Sequence, residues 1–143
     1  MSRINEFMKK HGLKIEATSG KQILQVANKL GLKDFSIYIR TDELTTKQGI
    51  INLTDDYKNG THFVAFKDYY YFDSFCAEPP REIANQLANR NPEKACECYI
   101  SSNSIQSLSD SNCASYCLYF LENMNQGNNF TRTIMKIVTD TQL

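Results

Sequence analysis

The chain has no net charge, since 16 Lys and Arg residues balance 16 Asp and Glu. That balance gives the whole molecule no electrostatic basis for binding nucleic acid or an anionic membrane. No apolar run approaches the ~20 residues needed to cross a bilayer, so no membrane role is expected. Repeats and low-complexity tracts are lacking as well. Tryptophan is absent, and two of the three prolines adjoin as Pro79-Pro80. Cysteine is present five times, an odd number, and no signal-peptide pattern stands out. Free thiols in a reducing intracellular compartment are expected rather than a disulfide framework.

What is present is unevenly placed. Residues 1–33 hold seven basic side chains against Glu6 and Glu16, a surplus of five that the remainder must balance. The simplest source is a set of helix faces carrying solvated lysines. At 143 residues the chain is one domain, 1–143, large enough for a single core.

The stretch Asp110-Ser111-Asn112-Cys113-Ala114-Ser115-Tyr116-Cys117-Leu118-Tyr119-Phe120-Leu121 carries the most information. Three residues suited to capping lead into a cysteine that opens an apolar helix. Only Ser115 is clearly polar from Cys113 to Leu121, so burial nearly all round is expected. A cysteine at the positive end of a buried helix dipole is favoured as thiolate. A structural cysteine needs no such position.

The rest reads as helices, then strands, then helices. Amphipathic helices are predicted at 2–10 and 19–30, the second stopped by Gly31. Strands are predicted at 35–40, 50–53, 61–67 and 69–75, with a further one at 98–101. Polar loop is expected at 55–60. A helix with Pro80 at its first helical position runs to about Leu87. Ser/Asn-rich loop leads to Asn112, and helices at 113–122 and 131–138, separated by a soft segment at 123–129, close the chain. This order predicts an α+β fold with a mixed, mostly antiparallel sheet packed with helices.

If Lys67-Asp68, or a four-residue loop spanning Phe66–Tyr69, turns the hairpin, paired positions sum to 135, and His62 lies directly opposite Asp73 on one face. A slip of one residue would separate them onto opposite faces. A base, the carboxylate that orients it and a thiol are the parts of a cysteine protease. Gln106, seven residues before Cys113, is the candidate oxyanion donor, joined by the Cys113 backbone N–H. A zinc site from Cys96, Cys98, Cys113 and Cys117 has the wrong spacing for common zinc knuckles, and His11 reads as a surface residue. No metal or cofactor is expected.

Gly60-Thr61-His62-Phe63-Val64-Ala65-Phe66, Tyr71-Phe72-Asp73-Ser74-Phe75 with Pro79-Pro80, Ile105-Gln106-Ser107 and the Ser111–Leu121 stretch resemble the adenain-like cysteine proteases. These are the capsid-maturation proteases of adenoviruses, virophages and polinton-type elements, relatives of the SUMO-specific proteases. The resemblance extends to Asp42-Glu43-Leu44 and Ile50-Ile51-Asn52-Leu53, covering roughly residues 35–121. It implies a fold papain-like in site geometry but permuted in chain order, with His62 as base, Asp73 as its partner, Gln106 as oxyanion donor and Cys113 as nucleophile. It further implies a monomeric viral endopeptidase acting on capsid precursor proteins at glycine-containing sites, because the family's narrow clefts admit a residue without Cβ. The virion and the host cytoplasm are the locations it implies.

The chain departs from the family at several positions. Ala114 replaces the usual glycine after the nucleophile, Phe63 the usual tryptophan after the base, and Cys76-Ala77 the glycine after the acidic motif, which makes Cys76 a second candidate reactive thiol. Adenoviral members are basic proteins stimulated by DNA and by a viral peptide linked through a cysteine. Zero net charge weighs against DNA activation here, and Cys96 or Cys98 would be the anchor for an activating peptide. The resemblance leaves two other functions open: a ubiquitin-like-modifier isopeptidase using the same site, and an inactive relative serving as a virion scaffold. The lack of tryptophan and the many Asn, Lys and Ile residues suit the AT-rich genome of a virophage.

Overall fold

A computed structural model describes residues 3–13, 19–53, 62–75, 77–91, 97–98 and 113–141. Among these, five helices and five strands form an α+β fold: α1 (Arg3–Lys10), α2 (Gly20–Lys29), β1 (Phe35–Ile39), β2 (Gln48–Asn52), β3 (Phe63–Lys67), β4 (Tyr70–Phe72), α3 (Arg81–Ala88), β5 (Glu97–Cys98), α4 (Cys113–Asn125) and α5 (Phe130–Thr141). None of these helices is long and apolar enough to cross a membrane.

The strands form one sheet in the order β1-β2-β3-β4-β5. Alternating side chains give it two apolar faces. Phe63, Ala65, Ile50 and Phe72 join the core built by α1, α2, α4 and α5, while Val64, Phe66, Ile51 and Tyr71 pack with Ile83 and Leu87 of α3. The sheet thus lies between helices on both sides.

The sheet is mixed, as expected, but antiparallel ladders do not outnumber parallel ones. β2–β3 and β3–β4 are antiparallel, but β1–β2 and β4–β5 are parallel. A parallel pair usually needs a crossover of a dozen residues or more, yet only residues 40–47 join β1 to β2. Side chains from elsewhere satisfy the backbone of this short return. The Tyr38 hydroxyl accepts the N–H groups of Thr45 and Thr46, at 3.2 and 3.0 Å. Gln86 bridges Leu44 N–H and Asp42 C=O. Arg90 donates to the carbonyls of Leu44, Thr46, Lys47 and Asp68, its guanidinium 5.2 Å from the Phe66 ring centre.

Element ends follow local chemistry. Ser19 and Gln22 form a reciprocal capping box at the start of α2, and Gly31 takes a left-handed turn, φ 71°, just beyond its end. Pro80 is the residue before α3 rather than its first helical position. α4 runs three residues past the expected Glu122, so Asn123–Asn125 are helix and not soft loop. Asn123 and Asn125 turn their amides back onto the carbonyls of Tyr119 and Leu121, and Asn125 also meets the buried Gln48 of β2. Asn129 then caps α5 by accepting the Arg132 N–H. The strand expected at 98–101 is seen only as Glu97–Cys98, and residues 99–101 lie outside the described part.

Candidate active site

α4 begins at Cys113, and every residue from Cys113 to Leu121 is buried. The apolar run therefore became a core helix, with β3 beneath it and α1, α2 and α5 around it. The expected capping residues 110–112 lie outside the described part, as do Gln106, Cys76 and Cys96.

His62 immediately precedes β3, and Asp73 immediately follows β4. Their hairpin register differs from the expected one. Lys67 pairs with Tyr70, Phe66 with Tyr71 and Ala65 with Phe72, so paired positions sum to 137 rather than 135. The loop is Asp68-Tyr69, not Lys67-Asp68. Asp68 supplies the left-handed residue, φ 55°, a conformation that Asp tolerates. A shift of two preserves which face each residue occupies, so His62 and Asp73 become diagonal rather than direct neighbours, a separation a long side chain can bridge. The bond forms: His62 Nε2 lies 2.9 Å from Asp73 Oδ1.

Asp73 is 2% exposed. The same Oδ1 also accepts the Phe75 N–H at 2.8 Å, which fixes the carboxylate. Phe75 occupies the position opposite His62 if the register is continued, and its ring stacks on the imidazole at 4.6 Å and 14°. Phe75 is a site residue that the sequence reading missed. No local signal singled it out, because Asp68 belongs to both candidate loops and its left-handed tolerance does not choose between the registers.

Burial by itself pulls the His62 pKa down. Hydrogen bonds to Asp73 and Cys113, together with the charges of both, outweigh it and raise the value from 6.5 to about 9. The imidazole is thus charged at neutral pH, held by a carboxylate on one side and a sulfur on the other. With Nε2 committed to Asp73, Nδ1 is the nitrogen left for the thiol. Cys113 Sγ also accepts the Phe63 N–H at 3.3 Å.

His62, Asp73 and Cys113 are therefore brought together from three separate elements. Cys117, one turn further along α4, is fully buried, and its pKa is pushed well up by burial first and then by Cys113 and Asp73. It has the environment of a packing thiol, whereas Cys113 lies beside the imidazole of His62. Among the described residues no group of His, Cys, Asp and Glu is arranged to hold a metal ion. No protein-family model matches the chain, and no curated protein matches it.

Proposed function

We propose that this chain is a viral cysteine endopeptidase that cleaves capsid precursor proteins during virion maturation, at glycine-containing sites. The observation that carries the reading is the His62–Asp73 bond at 2.9 Å beside a helix-initial cysteine whose interaction with the imidazole helps to raise its pKa. The viral setting and the substrate class rest on the sequence resemblance.

In this reading Cys113 Sγ attacks the scissile carbonyl carbon, and the carbonyl oxygen becomes an oxyanion. Gln106 and the Cys113 N–H are assigned as its donors. Collapse of the adduct breaks the C–N bond, and His62 gives its proton to the departing amine. His62 then takes a proton from water, which attacks the thioester and releases the acid. Asp73 keeps the proton-bearing Nε2 turned away from the sulfur throughout. Because His62 must carry a proton to give, activity should fall as pH rises through about 9.

Incubating the protein with the capsid precursors of its own virus, and sequencing the new termini, tests the reading. Cleavage beside glycine by the native protein, and none by Cys113→Ala, is expected. Turnover that survives Cys113→Ala refutes the assignment. Activity on modifier conjugates without precursor cleavage would favour an isopeptidase. Failure of a thiol probe to label Cys113 ahead of Cys117 would leave a scaffold.

A further inference from the structure

We propose that Cys117 is a positioning residue whose thiol fixes the Phe63 peptide against α4 and so sets His62 in line with the Cys113 sulfur. This rests on the reading of Cys113 as nucleophile.

The argument starts from strand alternation. The His62 carbonyl accepts the Leu53 N–H at 2.8 Å, so the backbone of residue 62 is turned toward β2. Alternate residues of an antiparallel strand turn their N–H and C=O to opposite sides. Phe63, Ala65 and Lys67 therefore address β4. Ala65 and Lys67 find Phe72 and Tyr70 there. Continuing the register, Phe63 would meet Ser74, but β4 ends at Phe72 and residues 74–75 form a turn.

The helix takes the place of the missing strand. Phe63 N–H donates to Cys113 Sγ at 3.3 Å, and Cys117 Sγ–H donates to the Phe63 carbonyl at 3.4 Å. Residues four apart lie above one another on one helix face, which lets two thiols hold the two ends of one residue's backbone. Burial maintains Cys117 as S–H, the only form that can donate. Because His62 is the next residue, a turn of the Phe63 backbone would swing the imidazole against the sulfur while Asp73 held its far side.

Three variants separate donor from volume. Cys117→Ser keeps a donor, Cys117→Val fills similar space without one, and Cys117→Ala has neither. Each is taken as folded protein, checked by thermal melting. The readouts are the iodoacetamide rate at Cys113 against pH, by peptide mapping, the His62 titration by NMR, and kcat and KM on precursor peptides. Val and Ala should slow Cys113 alkylation at pH 7 and lower kcat by about fivefold, the scale of one hydrogen bond. KM should hold within about twofold, since binding in the ground state is untouched. Ser should restore most of both rates. The proposal is overturned if a donor-less variant that folds gives the native alkylation profile and His62 titration, or if Ser is as slow as Val. If native Cys113 is not the fastest thiol, the nucleophile assignment itself fails, a different and separately visible result.

Discussion

Replacing Asp73 with Asn should lower the His62 pKa and, with it, change how stability depends on pH. In the native protein the value is raised from 6.5 to about 9, against an opposing burial cost. A raised imidazole pKa means that the folded state binds the proton more tightly than the unfolded chain. The resulting stabilisation is complete below pH 6.5 and is lost as pH rises through 9. The difference corresponds to ~3 kcal/mol. An Asn carbonyl can still accept the Nε2 proton, but the negative charge is gone and burial remains, so the pKa should fall by more than about one unit. Cys113→Ala should lower it too, since the thiol also supports the charged ring. Proton NMR suits the measurement because the chain has only two histidines. His11 is an internal control: burial chiefly, with Lys10 and Lys29, lowers its pKa despite Glu122, and it lies outside the site. Urea unfolding at pH 6 and pH 10 should show a loss in the native protein that is clearly smaller in Asp73→Asn. A native His62 that titrates at or below 6.5, or one unmoved by Asp73→Asn, refutes the reasoning.

Gln106→Ala should reduce kcat by about 10²–10³-fold with little change in KM, as loss of a single oxyanion donor does; a raised KM at normal kcat would make it a substrate-binding residue instead. Arg90→Ala should cost about 2–3 kcal/mol in urea unfolding, because four carbonyls lose a charged donor, and Arg90→Lys should recover less than half, lacking the planar fork. Gly49→Ala should cost about 1–3 kcal/mol. A Cβ there would lie 2.5 Å from the Ser36 carbonyl oxygen and 3.0 Å from the Phe66 ring, and an unchanged denaturation midpoint would contradict this packing.

Much of the fold was legible because the relevant signals are local. The apolar spacing of Ile23, Val26 and Ala27, the Gly31 stop and the unbroken run after Cys113 each act within a few residues. The hairpin was read with the wrong loop, since a left-handed Asp68 gives no stronger local signal than the Lys67-Asp68 alternative. The site pair survived the error because the register slipped by two residues, which keeps parity. The parallel β1–β2 pairing was not legible. It depends on Gln86 and Arg90 reaching residues some 40 positions earlier, and no local pattern announces such contacts. Phe75 and the part proposed for Cys117 were hidden for the same reason: each contact is with a neighbour in space rather than in sequence.

The burial of α4 from Cys113 to Leu121 ties the fate of Cys113 to that of the whole core. A helical stretch covered on all sides cannot open by fraying one face, so its amides should exchange with solvent only when the entire structure unfolds. Hydrogen exchange from Cys117 to Leu121 would then report the global free energy of unfolding, and the Cys113 sulfur would have no cheaper local route to disorder. Destabilising substitutions far from Cys113, such as those in α1 or α5, should reduce activity in proportion to the unfolded fraction, with the surviving folded molecules each working at the native rate.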